Sequence, residues 1–394
     1  MALPLLDGTT GEGGGQVVRL AVCLAALTSQ PIRITNIRGS RSKRGLKSQH
    51  FTAIQWLAQA TEADVEGLGV GSHTLTFSPR RPPTELLQRN VRITPQSSAS
   101  SILLLVQALL PFLLFAGNDA GDPIELSLTG GTNVSFSPSY EYFDQVFLPA
   151  LEESFGVKVE RELRQRGWSL GPQSRGSGGK LSFIPPRPRA SSEPHQVKVI
   201  HASIVVPEDA HETLRQAVAH HVNTLFPGSE VNFKIVEDSK SDARWFIFLV
   251  AESHSGSRWA ADVICSASKK YRSRDDWIQK VSRTLCQQLH TEVHVGGVVD
   301  EHLQDQLVCF QALCDGFSSF PRDETSEGPA DAVASIMDSV GLGDSRMRRE
   351  KTHEPFGHGS THTKTARWVA AELLPKVNFF NKGDLVQGVG MAFD

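Results

Sequence analysis

Gly11-Glu12-Gly13-Gly14-Gly15-Gln16, running directly into Val17-Val18-Arg19-Leu20-Ala21, joins a glycine-rich loop to an apolar helical stretch. Glycine takes positive φ at no steric cost, and a helix N-terminus attracts anions, so this junction can aim several backbone N–H groups at a phosphate. Glu12, the one acid among the glycines, carries the carboxylate that Mg²⁺ prefers beside phosphate oxygens. No Gly-Lys-Ser or Gly-Lys-Thr follows, which excludes a P-loop, and Gln16 stands where a dinucleotide fingerprint has its last glycine. Gln16, Arg19 and Cys23 fall at i, i+3 and i+7, one stripe on a helix whose other faces hold Val17, Val18, Leu20, Ala21, Leu24 and Ala25. The stripe is expected to face a ligand.

Near the other end lies Gly359-Ser360-Thr361-His362-Thr363-Lys364-Thr365. Neutral imidazole is nucleophilic near pH 7, and a phosphoramidate formed on it passes its group onward. In isolation the window reads more readily as a surface histidine; its co-occurrence with the glycine loop makes His362 the candidate nucleophile. His353, His358 and His362 offer a competing metal site. Gly357 and Gly359 disfavour the helix such a pair needs, and Glu354 is the only acid nearby, so the metal ranks below the nucleophile.

Three stretches repeat a pattern of strand, polar loop, apolar helix and strand. The first runs from Leu5 through a helix near Gln16–Leu27 to a strand near Ile32–Ile37. The second pairs Val91-Arg92-Ile93 with a helix from about Ser101 to Phe115 and the strand Ile124–Leu128. In the third, Glu292-Val293-His294-Val295 reads as a strand, followed by Gly296-Gly297 and a helix from about Asp300 to Leu313. The Pro-, Arg- and Ser-rich Pro185–Glu193 has the composition of a linker. It precedes a small inserted α/β module at 190–287, with no catalytic cluster, built from strands such as Trp245–Val250 and amphipathic helices at Glu208–Leu225 and Arg274–Leu289. Residues 317–357 read as an expanded loop, with one short helix near Ala330–Val340.

At 394 residues the chain can bury roughly three quarters of its unfolded surface, enough for two or three modules. The longest apolar run, Ile102–Ala116, is interrupted by Gln107 and Pro111 and is too short to span a bilayer, and no signal-peptide pattern is present. Five scattered cysteines show no zinc spacing and suit a reducing compartment. An intracellular protein of the nucleus or cytoplasm, not secreted, is expected. With a net charge of −3, any RNA contact must come from a local patch. Arg33 to Lys47, carrying Arg38, Arg41, Lys43 and Arg44 and no acid, is the candidate.

Seven pieces in order resemble the RNA 3'-terminal phosphate cyclase family: Leu6-Asp7-Gly8 with the glycine loop, Asn36–Arg41, Gln49–Ala53, Gln107–Pro111, Gly130-Gly131-Thr132, Val299–Leu307 and the histidine segment. The resemblance implies an α/β (α+β) protein with a large domain of repeated βαβαββ units, here 1–189 and 288–394, around the smaller inserted module. It implies ATP-dependent conversion of an RNA 3'-phosphate to a 2',3'-cyclic phosphodiester, with His362 forming a histidine–AMP intermediate. Glu12 is then associated with Mg²⁺ or Mn²⁺ and the ATP phosphates; Gln107, Pro138, His302, Asp305 and Gln306 with the adenosine; and Arg19, Arg38, Arg41 and Gln49 with the RNA phosphate. Arg44, Asn133 and Ser139 depart from the family pattern, and its later glycine cluster is loosened to Gly176-Ser177-Gly178-Gly179. The rival implied by such departures is a catalytically inactive, cyclase-like RNA-binding factor of ribosomal RNA processing, which is expected to lack the histidine and an intact glycine loop. An enolpyruvyl-type transferase shares only the repeated architecture.

Overall fold

The computed structural model describes residues 3–97, 100–118, 120–169, 196–267, 271–322 and 356–392, and the backbone of 179–184. The 185–193 linker, the 330–340 helix, His353, Glu354 and Gly176–Gly178 lie outside the described residues.

The first unit runs β1 (Leu5–Asp7), α1 (Gly15–Thr28), β2 (Ile32–Thr35), α2 (Ser48–Ala60), β3 (Asp64–Glu66) and β4 (Leu75–Ser78), with sheet order β1-β2-β4-β3. Its β1 and β2 are parallel, as a crossover helix between them requires, and its other pairs are antiparallel. The second unit repeats this order. It contains β5 (Asn90–Ile93), α3 (Ile102–Leu114), β6 (Glu125–Leu128), a helical run α4, β7 (Lys158–Leu163) and β8 (Gly179–Ile184), arranged β5-β6-β8-β7. The run α4 begins at Tyr140–Tyr142, passes through a π turn at Phe143–Phe147 and ends as Leu148–Phe155. Ser101 caps α3 by accepting the N–H groups of Leu103 and Leu104, and the helix continues through Pro111 although proline forfeits one i→i−4 bond. Near-complete burial of its apolar side chains offsets that loss.

The intervening segment comprises β9 (Val197–Val206), α5 (His211–Leu225), β10 (Glu230–Asp238), β11 (Trp245–Ser253), β12 (Arg258–Cys265) and α6 (Arg274–His294), in sheet order β10-β9-β11-β12. Strand β11 is apolar on both faces because it serves two cores. Trp245, Ile247, Leu249 and Ala251 pack in the segment's own cluster, while Phe246, Phe248 and Val250 enter the main core.

The third unit has α7 (Glu301–Leu313), β13 (Phe317–Ser319), α8 (Thr361–Leu373), β14 (Asn378–Phe380) and β15 (Leu385–Gln387), in order β13-β15-β14. This is the unit pattern without its first strand. The strand expected at Glu292–Val295 is instead the end of α6, and the 287/288 boundary falls inside that helix. Four alternating residues are too few to decide a period. Here Val295 N–H bonds the Thr291 carbonyl at 3.0 Å, and the Glu292 carboxylate takes the Arg322 guanidinium, which fixes the helical register. Gly296 and Gly297, both at positive φ, then turn the chain, leaving an isolated bridge between Val299 and Arg258. Among the described residues, no helix is long and apolar enough to cross a membrane.

Candidate functional site

The glycine loop and α8 meet although 353 residues separate their tied atoms: Glu12 N–H donates to Thr365 Oγ1 at 2.8 Å. Gly11, at φ +64, lies so close to that threonine that a Cβ would stand 2.1 Å from its hydroxyl. The Glu12 side chain folds back onto its own helix. One carboxylate oxygen accepts Gln16 N–H at 3.0 Å, capping a group that α1 leaves orphaned, and the other takes the Arg41 guanidinium. Burial pushes the Glu12 pKa up, but the Gln16 N–H, His362 and Arg41 outweigh it and hold the carboxyl below its usual range.

His362 sits in the first turn of α8, which Ser360 caps by accepting Thr363 N–H at 3.1 Å. Its imidazole is exposed at the surface, with Nδ1 3.1 Å from Gln16 Oε1. Gln16 is buried and donates its Nε2 to Asp305 Oδ2 at 2.7 Å, so its carbonyl faces the imidazole and can only accept. His362 therefore carries its proton on Nδ1 and presents an unprotonated Nε2. Partial burial lowers the His362 pKa, Arg19, Arg41 and His302 add to this, and only Glu12 opposes them. Burial raises the Asp305 pKa to about 7 against the pull of His302, Arg19 and the Gln16 hydrogen bond.

His302 lies on the same helix as Asp305. Burial draws its pKa down, yet Asp300, Asp305, Glu301 and Asp262 together hold it above the ordinary value. Its ring meets Tyr142 edge-on at 6.3 Å. The Tyr142 hydroxyl donates to Asp300 Oδ1 at 2.6 Å, and Asp300 also caps α7 and accepts Ala260 N–H from β12. This one buried carboxylate fixes α4, α7 and β12 against each other. Asp300 and Tyr142 carried no role in the sequence reading; their signal is an aspartate at the N-cap of the motif helix and a tyrosine whose hydroxyl must find a partner when buried.

Arg19 is half-buried beside Gly15, and Arg38, at φ +55, turns its guanidinium onto the Lys43 carbonyl at 2.6 Å. The stripe from Gln16 divides: Gln16 and Arg19 face the site, whereas Cys23 is fully buried and its thiol is pushed up to about 12. Gln49 is the second residue of α2, Gln107 lies half-buried midway along α3, and Pro138 precedes the Ser139 cap of α4. Gln306 donates back to the His302 carbonyl at 2.7 Å. Among the described residues, no hydrogen bond joins Gln49, Gln107 or Pro138 to the His362 cluster, and Gln306 touches it only through the His302 main-chain carbonyl. The departures have structural uses. Buried Asn133 accepts the Thr132 hydroxyl and donates to Glu141, the Ser139 hydroxyl accepts Tyr142 N–H, and Arg44 is exposed in the basic turn. A cavity of about 750 Å³ lies at the opposite end of α1 beside Thr28, Leu374 and Met391 and shares no residue with this site.

The profile of the family described as RNA 3'-terminal phosphate cyclase matches residues 10–377. The chain belongs to that family. It is 32% identical over 317 residues to the RNA 3'-terminal phosphate cyclase of Pyrococcus furiosus, spanning 79% of this chain and 86% of the relative. The protein of the same description from Methanosarcina barkeri is 35% identical over 327 residues, with 82% and 89% covered. That of Drosophila melanogaster is 30% identical over 330 residues, with 80% and 84% covered. The cyclase-family segments thus bring Glu12, Gln16, Arg19, Arg41, His302, Asp305 and His362 into one connected cluster. Among the described residues, no three His, Cys, Asp or Glu side chains are grouped to hold a metal alone.

Proposed function

We propose that this protein converts an RNA 3'-terminal phosphate to a 2',3'-cyclic phosphodiester at the expense of ATP. His362 Nε2 attacks the α-phosphorus of ATP and pyrophosphate leaves. An oxygen of the RNA 3'-phosphate then attacks the histidine-bound AMP, freeing the imidazole and creating an RNA-adenylate. The neighbouring 2'-hydroxyl attacks the 3'-phosphorus, AMP departs, and the hydroxyl proton is lost as the ring closes. Adenylation solves a leaving-group problem, because a phosphomonoester oxygen is a poor leaving group whereas AMP is not.

The observation that carries this reading is the 3.1 Å bond from His362 Nδ1 to Gln16 Oε1, which leaves Nε2 as the nucleophile. When Nε2 bonds phosphorus the ring becomes cationic, and the Nδ1–H, Gln16 and Asp305 chain supplies an oriented acceptor backed by a carboxylate. This is the logic of a catalytic triad with an amide interposed. Arg41 and Arg19 are suited to neutralise phosphate charge through planar, bidentate donor groups. His302 and Pro138, linked through the loop and helix that carry Tyr142, are the residues assigned to the adenosine, with Gln107 and Gln306 as further contacts. Glu12 fits a divalent cation such as Mg²⁺ or Mn²⁺ in part: it is held ionised, and one carboxylate with phosphate oxygens is a common Mg²⁺ arrangement. Such a cation would neutralise phosphate charge as pyrophosphate or AMP leaves. The intact glycine loop and the oriented His362 favour an enzyme over a binding factor.

The test compares matched oligonucleotides bearing 3'-phosphates on ribose or 2'-deoxyribose. Ring closure by an adjacent hydroxyl is intramolecular, with effective molarities of ~10⁵ M or more. The ribose substrate should give a phosphatase-resistant cyclic end, and the deoxy substrate should accumulate an adenylated end. Adenylated ends persisting on both would mean that ends are activated without being closed.

A further inference from the structure

His50 is 2% exposed, and its Nε2 has no hydrogen-bond partner among the described residues. Its other nitrogen is committed: Nδ1 accepts Lys47 N–H at 3.1 Å at the N-terminus of α2. A neutral imidazole that accepts at Nδ1 carries its proton on Nε2, so a buried donor is left unused. Burial, with Arg19, Arg38 and Lys47 adding to it, holds the His50 pKa well below the ordinary value, which keeps the ring neutral.

The direction of that donor is given by Gly15, the first residue of α1. A Cβ built there would lie 2.5 Å from His50 Nε2 and 2.9 Å from Arg19 Nη1. Arginine has no acceptor, so two donors converge on the glycine, and among the described residues no hydrogen-bond acceptor is recorded for either. They do so at a helix N-terminus, where the backbone already favours negative charge. Any residue larger than glycine at position 15 would close the space.

We propose that His50 Nε2–H and the Arg19 guanidinium form a seat in front of Gly15 for one oxygen of a phosphate group. This deepens the reading given above and rests on it for the identity of the two candidate sources, the phosphates of ATP and the 3'-phosphate of RNA. A neutral donor beside an arginine grips an anionic oxygen through direction more than through charge, which suits a group that must be released within each turnover.

The test uses side-chain ¹H–¹⁵N spectra of the full-length chain labelled at histidine, in wild type and in His362→Ala. Pyrophosphate, an oligoribonucleotide with a 3'-phosphate and the same oligonucleotide with a 3'-hydroxyl are titrated separately. The signal lost in His50→Leu identifies the His50 Nε2 proton. It should move downfield with pyrophosphate if the seat belongs to the nucleotide, or with the 3'-phosphate oligonucleotide alone if it belongs to the RNA end. His50→Leu should weaken the same ligand about tenfold or more, as expected for loss of a hydrogen bond to a charged group, and His50→Gln should recover part of it. Because these readouts need no chemistry, they hold in His362→Ala and stand apart from the fate of the covalent mechanism. A signal that stays fixed while both phosphate ligands bind would show a water-bonded structural histidine and overturn the proposal. So would an equal response to the 3'-hydroxyl oligonucleotide, or unchanged affinity in His50→Leu with the fold intact.

Discussion

Replacing Gln16 by methionine removes the amide between His362 and Asp305 while nearly preserving side-chain length, and it leaves the backbone N–H that Glu12 accepts. In the ground state the lost His362 bond is neutral and contributes about 1 kcal/mol. As Nε2 bonds phosphorus the ring gains positive charge, and the same bond becomes charge-assisted, at about 1.5–3 kcal/mol. Only the increase enters the barrier, so roughly 1.4 kcal/mol, or about tenfold in rate, is the expected cost. Release of the ring to its other tautomer adds to that loss. The assay is the single-turnover rate of covalent labelling by α-labelled ATP at saturating nucleotide, with ATP affinity measured in parallel. The rate should fall about tenfold with affinity little changed, because Gln16 orients the nucleophile and does not hold ATP. Wild-type labelling, or a loss appearing wholly in affinity, would refute the relay.

Asp305 has a folded-state pKa raised by burial to about 7 from 3.8, so the folded chain keeps a proton that the unfolded chain releases over that window. The stability tied to this group is present at low pH and lost as pH rises through about 7. Denaturant titrations should therefore show wild type losing more stability than Asp305→Asn between about pH 5 and pH 8, and parallel curves would contradict the assignment. Phe248→Ala should destabilise the fold by about 3–5 kcal/mol in thermal or chemical unfolding, since the ring is fully buried on the main-core face of β11. It should also slow labelling, because Phe248 packs edge-on against Tyr142, which in turn meets His302; a stability loss under about 1 kcal/mol would count against the two-core account of β11. If Arg38, Arg41 and Lys43 contact phosphates, neutralising all three should flatten the dependence of log affinity on log salt for single-stranded RNA by about 2. Self-labelling should survive that change, and equal loss of both activities would assign the patch to ATP instead.

Much of this arrangement was legible in the sequence because it depends on residue type at fixed local spacing. The glycine run before an apolar helix, the histidine set among Ser360, Thr361, Thr363 and Thr365, and the apolar strands each act within a few residues. What escaped depends on contacts between distant segments. The Glu292–Val295 alternation matched a strand, but Arg322 and the carbonyl of Thr291 hold it as helix. Cys23 shared a stripe with Gln16 and Arg19, yet one turn further along α1 enters the packed core, where α1 meets α3. The bond that Asp305 Oδ2 accepts from Gln16, a residue 289 positions away, has no local signal beside the adenosine role that the resemblance implies. The equal burial of both faces of β11 looked like one strand of one module, whereas alternate side chains serve two cores. His50 lies in the Gln49–Ala53 segment, but its unused donor becomes visible only when Lys47 claims the other ring nitrogen.

The central claim is that His362 Nε2 carries the nucleotide, and direct mapping of the covalent bond tests it. The protein is incubated with α-labelled ATP and Mg²⁺ or Mn²⁺, digested under mildly basic conditions, and the labelled peptide is sequenced by mass spectrometry. The label should be acid-labile and base-stable, as a phosphorus–nitrogen bond requires. It should fall on the peptide containing His362 and be absent from His362→Ala. Undiminished labelling of that variant, or a label on any other residue, would contradict the account.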